Sequence, residues 1–378
     1  MATPKLRFKE FDGDWSAQKY KDALTIKYGK DHKLLEDGEI PVYGTGGVMR
    51  YVNQYLYNGE SILIGRKGTI DQPKYVNEKF WTVDTLFYSE IKQNIYPLFI
   101  YQHALQVNWL GLNEATGVPS LNTTSINNVD IYLPSKEEQT KIASFLSNVD
   151  EKISQLTQKH ELLSQYKQGM MQKLFSQQIR FKADDGSEFG EWEDKTISEI
   201  ASYRRGSFPQ PYGLPEWLDE NGFPFVQVYD VAENMLLKDK TKIKISQLAA
   251  NQSVLVKAGT LIITLQGSIG RVAKMQYDAY VDRTLLIFQS YAMPIDTDYF
   301  KYALYLLFNI EKEKADGGII KTITKETLSK FNIGIPCLEE QTKIANFLSA
   351  IDQKIEVVAQ QIEQAKTWKK GLLQQMFV

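Results

Sequence analysis

The sequence has few of the residues that build chemical centres. It contains one cysteine, Cys337, which excludes an internal disulfide and a cysteine-based zinc cluster. Its three histidines, His32, His103 and His160, lie far apart in sequence and have no metal-ligand spacing. No apolar run approaches the roughly 20 residues that span a bilayer, and the first residues contain no signal-peptide core. These features predict a cytoplasmic protein with neither a metal site nor a membrane contact.

Recognisable catalytic motifs are also missing from the sequence. There is no G-x-x-x-x-G-K-[ST] phosphate loop, which argues against ATP hydrolysis by this chain. The Gly-Thr-Gly-Gly stretch at 44–47 is not followed by the helix pattern that a dinucleotide site requires. No Asn/Asp-Pro-Pro-aromatic tetrapeptide, the signature of adenine methyltransferases, occurs. The sequence therefore predicts a binding protein that is not an enzyme and holds no cofactor, although an enzyme with an unrecognised site is a third interpretation.

The overall composition is that of an ordinary globular protein. Of its 378 residues, 43% are hydrophobic and 24% are charged, which is enough for two or three domains with real cores. The formal net charge is only −2, so the molecule has no general basic field. Any contact with nucleic acid must therefore come from local patches.

The sequence contains a strong internal repeat. Residues 131–176 align with residues 333–378 at a constant offset of 202, without a gap, and 21 of the 46 positions are identical. The regions before each copy are related more loosely, as in SILIGRKGTI (61–70) against GTLIITLQGSIG (259–270). We infer that a unit of roughly 200 residues was duplicated and that its variable region then diverged.

The repeated segment predicts a long helix. Pro134 and Pro336 end an extended stretch, and Ser135 with Glu138 fits a capping box in the first copy. Cys337 replaces the capping serine in the second copy. Beyond these points apolar residues recur at alternating steps of four and three, which is the period of a coiled-coil seam. The seam comprises Ile142, Leu146, Val149, Ile153, Leu156 and Leu163 in the first copy, and Ile344, Leu348, Ile351, Ile355, Val358 and Ile362 in the second.

The order of the segments predicts the architecture. If the two helices pair with each other, the connections favour an antiparallel arrangement with one variable region at each end. We therefore expect an α+β protein in which two long antiparallel helices form a coiled coil that separates two mixed α/β domains with pseudo-two-fold symmetry. The predicted segments are 1–133, 134–176, 177–335 and 336–378.

Two different surfaces at a fixed separation suit a linear ligand that carries two marks. Double-stranded DNA fits this description, because two-fold binders read half-sites about one helical turn or more apart. The geometry permits DNA without proving it. A coiled-coil scaffold protein whose end domains bind protein or carbohydrate ligands is the alternative.

Several motifs resemble one known family, the specificity subunits of type I restriction–modification systems. They are the repeated helix start (PSKEEQTKI at 134–142 and PCLEEQTKI at 336–344), the GRKGT turn at 65–69 and the IP-then-glycine stretch at 40–47. The resemblance implies two target-recognition domains that bind DNA and helices that dock two modification subunits. Those subunits carry S-adenosylmethionine, and optional restriction subunits, two per complex, use ATP and Mg²⁺. No cofactor is implied for this chain itself.

Loop residues of the first variable region are candidates for DNA contacts. Glycines let a backbone approach phosphate closely, and Arg, Lys, Asn and Thr side chains can donate to phosphates or base edges. An ordinary hairpin turn with solvated charges is the alternative interpretation. The candidates are Tyr43, Thr45, Gly46 and Arg50 at the glycine-rich turn, Arg66, Lys67 and Thr69 at the GRKGT turn, and Asn122, Thr123 and Thr124 before the last strand.

The second variable region offers different residues at comparable places. Four lysines alternate at 238, 240, 242 and 244 along a segment that fits a strand, where they could contact phosphates or form a solvated face. The turn that matches GRKGT changes from Arg-Lys to Gln-Gly, as altered specificity would require. The candidates are Arg204, Arg205 and Ser207 in a loop after the first amphipathic segment, Gln266, Ser268 and Arg271 at the turn, and Lys321 and Thr322 in the counterpart of 122–124.

Overall fold

The computed structural model describes residues 3–314 and 325–378. The chain forms two compact units: unit 1 is Met1–Lys159 with Val358–Val378, and unit 2 is His160–Val357. Each unit contains one variable region, the start of one long helix and the end of the other. The four-segment division expected from the sequence stays a prediction. Among the described residues, no helix combines the length and apolarity needed to cross a membrane.

Unit 1 is built around one mixed sheet. Its strand order is β2-β7-β5-β6-β3-β4, and neighbouring strands are antiparallel except for the parallel pair β3–β6. A separate two-stranded sheet pairs β1 with β8. The elements are β1 (Ser16–Lys19), α1 (Tyr20–Ala23), β2 (Leu24–Tyr28), β3 (Asp37–Gly44), β4 (Gly47–Val52), β5 (Tyr57–Gly65), β6 (Lys74–Thr82), β7 (Leu86–Ile91), α2 (Pro97–Ala104), α3 (Thr123–Asn127) and β8 (Asp130–Leu133).

The central strand β5 explains why this sheet is stable. Its apolar run is buried on both faces, because successive side chains of a strand point to opposite sides. Ile62 and Ile64 join the core formed with α2 and the long helices, whereas Leu63 joins a second core with Val42 and Phe80. The sheet is therefore enclosed on both sides at its centre, while the loops at its ends remain at the surface.

Unit 2 is also mixed, and most of its strands are shorter than those of unit 1. Its elements are β9 (Glu193–Thr196), α5 (Ile197–Ile200), β10 (Ala201–Arg205), β11 (Leu218–Val226), β12 (Ile243–Ile245), α6 (Gln247–Ala250), β13 (Val254–Val256), β14 (Leu261–Thr264), β15 (Val272–Lys274), β16 (Ala279–Val281), β17 (Leu285–Tyr291), α7 (Thr297–Lys314), α8 (Lys325–Ser329) and β18 (Asn332–Ile335).

The sheets of unit 2 differ from the single large sheet of unit 1. Two four-stranded sheets have the orders β10-β17-β14-β15 and β12-β11-β16-β13, and β18 pairs with β9. Where unit 1 has the continuous strand β5, unit 2 has β13 and β14, separated by a turn in which Gly259 has a φ of 88°. That left-handed conformation suits glycine because other residues pay a steric cost there. The predicted lysine-bearing strand is shorter than expected, since only Ile243–Ile245 is extended.

Both predicted long helices are present, as α4 (Lys136–Phe175) and α9 (Leu338–Met376). The helices pack together in antiparallel fashion within each unit, as the sequence predicted. Of the predicted seam, nine residues are buried and the remaining three, Ile153, Leu163 and Ile355, are half-buried. The mixed fold and the helix pair are thus confirmed.

The predicted capping box at the start of α4 is only half formed. The Ser135 hydroxyl accepts a hydrogen bond from the Glu138 backbone N–H at 3.3 Å, but the Glu138 carboxylate does not reach back. It accepts instead from Arg7, with Nε–Oε1 at 2.7 Å and Nη2–Oε2 at 2.8 Å. A bidentate, charge-assisted pair is stronger than a bond to a neutral backbone donor, so the Glu138 carboxylate binds the arginine and not the backbone.

The same arginine–glutamate clasp occurs in both units. In unit 2, Arg180 binds Glu340, with Nε–Oε1 at 3.1 Å and Nη2–Oε2 at 2.8 Å. Each arginine also donates to a backbone carbonyl at 2.6 Å, Gly13 in unit 1 and Gly190 in unit 2. The glutamates are almost fully buried, at 2% and 0% exposure. The clasp therefore joins the start of each long helix to a segment beside the end of the other helix. Arg180 follows α4 in the chain, and the residue before Arg7, Leu6, donates its backbone N–H to the Gln375 carbonyl of α9 at 2.8 Å.

The glutamine next to each clasp glutamate joins the helix start to the residue just before a second helix, α2 in unit 1 and α7 in unit 2. Gln139 accepts from the Tyr96 backbone N–H at 2.9 Å and donates to the Pro134 carbonyl at 3.0 Å. Gln341 accepts from the Asp296 backbone N–H and donates to the Pro336 carbonyl, both at 2.9 Å. The repeated Glu-Glu-Gln motif is thus a structural joint, since its second and third residues are buried and fully engaged.

Polar residues in the seam also form a duplicated contact. Lys369 pairs with Asp150 at 2.6 Å in unit 1, and Lys167 pairs with Asp352 at 2.5 Å in unit 2. Both lysine side chains are 13% exposed. The interval from Asp150 to Lys167 equals that from Asp352 to Lys369, so one antiparallel register satisfies both pairs. Polar seam residues of this kind can specify register.

Candidate nucleic-acid interface

Three loops converge at one end of the sheet in unit 1. They are the glycine-rich turn after β3, the GRKGT turn after β5, and the turn between β6 and β7. The Arg66 backbone N–H donates to the Thr85 backbone carbonyl at 2.9 Å, and the Val83 backbone N–H donates to the Tyr43 backbone carbonyl at 3.1 Å. A Cβ built on Gly68 would lie 3.8 Å from the Thr45 hydroxyl oxygen, so the two predicted turns are neighbours.

Unit 2 repeats this backbone network. The Leu265 backbone N–H donates to the Thr284 backbone carbonyl at 2.9 Å, and the Asp282 backbone N–H donates to the Val226 backbone carbonyl at 3.0 Å. A glycine follows β2 in unit 1 and β10 in unit 2, and a Cβ on Gly29 or Gly206 would lie 2.0 or 2.1 Å from a backbone carbonyl oxygen. The strand β2 or β10 can approach the loops this closely only where there is no side chain.

These hydrogen bonds correct the alignment of the turns. Arg66 occupies the position of Leu265, so Lys67 corresponds to Gln266 and Gly68 to Gly267. The expected change from Arg-Lys to Gln-Gly is therefore one residue out of register. Both glycines have positive φ, 90° and 67°, which fixes the equivalence.

In the GRKGT turn Arg66 is held in place by its surroundings. Its guanidinium lies over the Tyr28 ring, 5.4 Å from the centroid, and its Nη1 donates to the Asp84 carbonyl at 3.0 Å. Lys67 and Thr69 are exposed beside it. The turn thus presents the oriented guanidinium of Arg66 and the exposed ammonium of Lys67. Both groups can donate to phosphates or to acceptor atoms of bases.

The candidates at the glycine-rich turn are less accessible. The Tyr43 hydroxyl donates to Glu78 at 2.6 Å, and burial together with this bond raises the pKa of Tyr43 to about 12. Arg50 pairs with Asp37 at 2.6 Å. Thr45 is half-buried and Gly46 is exposed. Tyr43 and Arg50 therefore have structural partners, which DNA contact would have to replace.

Asn122 also has a structural role, as the cap of helix α3. Its Oδ1 accepts from the Ser125 backbone N–H at 2.7 Å, and its Nδ2 donates to Glu114 at 2.6 Å. The Leu121 backbone N–H donates to the Arg66 backbone carbonyl at 2.9 Å, so this segment lies against the GRKGT turn. Thr123 is half-buried and Thr124 is exposed. The structure thus brings the three predicted groups of unit 1 together.

In unit 2 two of the predicted residues, Arg205 and Gln266, line one surface depression. Both side chains are exposed. The same depression also includes polar residues that were not predicted from the sequence, among them Gln227, Tyr229 and Arg283. The Tyr229 hydroxyl donates to the Gln227 side-chain oxygen, which leaves the amide nitrogen of Gln227 available as a donor.

The reason why these residues were not predicted from the sequence can be identified. Val83-Asp84 and Val281-Asp282 share the same letters, and matching them hides the true equivalence of Asp84 with Arg283. A charge reversal at an exposed turn position is the signal that a correct alignment would have shown. Gln227 occupies the position of Gly44, one residue after the matched pair Tyr43 and Val226, and Tyr229 lies two residues further on. Glycine and glutamine are too unlike each other to be matched by sequence.

Arg204 and Arg205 lie in strand β10 and not in the predicted loop. They pair with Ile287 and Leu286 of β17. The strand ends at Arg205, and the next residue, Gly206, lies so close to the Val281 carbonyl that a Cβ there would clash. Because successive strand residues point to opposite faces, only Arg205 of the pair lines the depression.

The remaining predicted residues of unit 2 are placed differently from one another. Ser207 donates to the Gln252 carbonyl at 3.3 Å, and Ser268 is exposed. Arg271 is engaged internally, with Nη2–Glu233 at 2.7 Å and Nη1–Val231 at 3.1 Å. Lys321 and Thr322 lie outside the described residues.

Comparison with known proteins gives a consistent result. The family model described as "Type I restriction modification DNA specificity domain" matches residues 13–165 and 190–367, one match for each variable region and its helix. The chain is 24% identical to the specificity subunit of the type I restriction enzyme MjaVIII of Methanocaldococcus jannaschii, over 97% of this chain and 94% of the relative.

A second protein of Methanocaldococcus jannaschii, provisionally named as the MjaX specificity subunit, is 28% identical over 74% of this chain; the chain spans 66% of that relative, just under two thirds.

Solved structures show the same fold. The type I restriction–modification S subunit from M. genitalium is similar over 100% of this chain and 99% of its own, with a TM-score of 0.65 and 16% identity. A chain from a structure concerned with complex assembly and conformational transition of the type I R-M system covers 96% of this chain and 97% of its own, with a TM-score of 0.58 and 14% identity. Two matches of the family model, covering most of the sequence, show that this chain belongs to the type I restriction–modification DNA specificity family.

Proposed function

We propose that the chain reads an asymmetric DNA target in two parts, one part with each unit, and that it docks methyltransferase subunits through its helices. Specificity subunits of type I systems are DNA-recognition subunits, and catalysis lies in their partner subunits. The observation that carries the two-part target is the duplicated backbone network with different side chains on it. Equivalent positions hold Lys67 and Gln266, or Asp84 and Arg283.

The proposed partners follow from the surface of the helices. Both copies carry an exposed aromatic residue at equivalent positions, Tyr166 at 52% exposure and Trp368 at 54%. Aromatic residues are enriched at protein interfaces, and two equal surfaces suit two copies of one partner. We assign these surfaces to two modification subunits that supply S-adenosylmethionine. Two restriction subunits that use ATP and Mg²⁺ join where the system has them. The cytoplasmic location stays a prediction.

The test is to co-produce the chain with its methyltransferase partner and map adenine methylation by long-read sequencing. We expect one motif with two unlike parts and an unread spacer. Grafting residues 177–335 from a relative should change one part of the motif and leave the other part unchanged. A change in both parts, a continuous motif, or no methylation by an assembled complex would contradict the proposal.

The spacer gives a second test, because the paired ion pairs define a helix register. We expect four residues inserted after both Gln158 and Gln360 to keep both pairs and lengthen the spacer by about 2 base pairs, at about 1.5 Å per helical residue and 3.4 Å per base pair. An insertion after Gln158 alone should break one pair and weaken assembly. An unchanged spacer in the double insertion would overturn the idea that the helices measure it.

A further inference from the structure

The depression in unit 2 combines several free donors in one place. Arg205, Gln266 and Arg283 all line it, and all three side chains are exposed. Within residues 3–314 and 325–378, none of these three side chains has a hydrogen bond or an ion pair of its own. Arginine, lysine and glutamine are the side chains that read base edges in the major groove, whereas unpaired surface arginines are usually flexible. What distinguishes Arg283 is that it is held.

Arg283 is fixed from two directions. The Asp282 carboxylate accepts from the Thr284 backbone N–H at 2.8 Å and from the Thr284 hydroxyl at 2.5 Å. These bonds fix the backbone of the turn on which Arg283 stands. Its guanidinium lies over the Tyr212 ring, with Cζ 5.0 Å from the centroid. A guanidinium held by this cation–π contact keeps its planar set of donors, so less conformational entropy remains to be lost on binding.

The flank of the depression supplies separate phosphate contacts. Lys242 lies over the Tyr229 ring at 4.8 Å, and its backbone N–H is bound by the buried Asp230 carboxylate at 2.9 Å. Lysines 238, 240 and 244 are exposed along the same segment. Phosphate contacts position a protein on DNA, and base contacts specify the sequence. The lysine flank can do the first, which leaves Arg283 for the second.

We propose that Arg283 is a specificity-determining residue that reads guanine in the half-target of unit 2, with Tyr212 as its positioning partner. A planar guanidinium donates to guanine O6 and N7 at once, which is the commonest specific contact in the major groove. Unit 1 has the acidic Asp84 at this position, so the contact belongs to one half-target only. This proposal rests on the proposed function, because it requires DNA recognition by unit 2.

The experiment uses the full chain assembled with its methyltransferase partner. The methylated motif of the wild-type complex is determined first, and binding is then measured on duplexes in which each guanine of the second half is replaced by 7-deazaguanine, which lacks N7. We expect one position at which the replacement weakens wild-type binding about tenfold. At that position Arg283→Ala should bind both duplexes equally, and methylation should become degenerate. Arg283→Lys should fail to restore discrimination, because a lysine lacks the planar fork.

The control is Lys257→Ala, which removes one exposed positive charge whose partner is Asp278 at 2.7 Å and which should leave the motif unchanged. If Arg283→Ala weakens binding equally on all sequences, lowers the salt slope by about one and is rescued by Arg283→Lys, the residue contacts phosphate and the proposal is overturned. Independent, additive effects of Arg283→Ala and 7-deazaguanine at every position would overturn it too. A wild-type complex without any two-part motif would instead refute the proposed function.

Discussion

Unit 1 and unit 2 share their joints and differ at their loops. The arginine–glutamate clasp, the buried glutamine and the lysine–aspartate pair recur with nearly the same distances in both units. At the end of the sheet the same backbone hydrogen bonds hold loops with different side chains, with Lys67 and Asp84 in unit 1 where unit 2 has Gln266 and Arg283. The joints are buried or half-buried, so changes there cost stability, whereas the loops are exposed and can vary. A duplicated scaffold can thus carry two independent surfaces.

The sheets show how far this freedom extends. The long strand β5 of unit 1 is replaced in unit 2 by β13 and β14, with a turn between them, while the half of the strand nearest the loops stays buried in both units. Loop positions therefore depend on the inner part of each sheet. The outer part of the sheet can differ between the units, so the inner part is what positions the loops.

The largest effect should come from removing a clasp glutamate. Glu340→Ala leaves the half-buried Arg180 without its carboxylate, and Trp192 loses an acceptor at 3.0 Å. We expect the free energy of unfolding to fall by about 3–5 kcal/mol.

Glu138→Ala is the matched variant in unit 1. Among the described residues, Trp15 Nε1 has no hydrogen-bond partner, so this variant should cost about 1 kcal/mol less than Glu340→Ala. Chemical denaturation measures both values. Equal losses would mean that the tryptophan bond contributes nothing.

Acid should destabilise unit 1 through a buried histidine. Burial lowers the pKa of His103 from 6.5 to about 4, and its Nδ1 lies 2.9 Å from the Tyr20 hydroxyl oxygen. The folded state holds the neutral form, so its contribution is complete above pH 6.5 and is lost as pH falls toward 4. We expect a loss on the order of 3 kcal/mol across this window.

Hydrogen exchange at several pH values would localise this loss. Unit 2 has no histidine in its sequence range apart from the half-buried His160, so its amides should change less between pH 6.5 and 4.5. His103→Gln should flatten the response of unit 1. An equal response in both units would assign the acid sensitivity to other groups.

Arginines of the two loop clusters should affect DNA binding and not assembly. Arg66→Ala in unit 1 and Arg205→Ala in unit 2 should each weaken binding of the assembled complex by about 1–2 kcal/mol. The two losses should add, because the residues lie in separate units. Gel-shift titration measures affinity, and size-exclusion chromatography checks assembly. Loss of assembly would mean that these arginines are structural.

The smallest effect should come from the seam ion pairs. Lys167→Glu places a like charge beside Asp352, whose carboxylate also accepts from the Tyr302 hydroxyl at 2.6 Å. We expect a coupling energy of about 1 kcal/mol between the two positions, measured from Lys167→Glu, Asp352→Lys and the double variant. The same cycle at Lys369 and Asp150 should give a similar coupling energy. No coupling in either cycle would show that the pairs do not specify register.

Much of the scaffold could be predicted, because it follows from local patterns. The seven-residue period fixed the two helices to within a residue or two, and the duplication indicated that both variable regions share one plan. The site was less predictable. Arg66 and Lys67 lie where expected, but Arg204 lies in a strand, and Arg283 was hidden by a shared Val-Asp pair. Strand bounds and loop equivalence depend on hydrogen bonds between distant residues, which local patterns do not record.

By itself, the sequence determined the duplication, the long helices and the absence of recognisable catalytic motifs, since these depend on spacing and residue type along the chain. Only the tertiary structure decided that Glu138 and Glu340 bind arginines more than a hundred residues away, and that Arg283 stands where unit 1 has Asp84. The physical reason is that burial and geometry select among the partners that chemistry allows. A carboxylate can cap a helix or bind a guanidinium, and the fold brings the guanidinium to it.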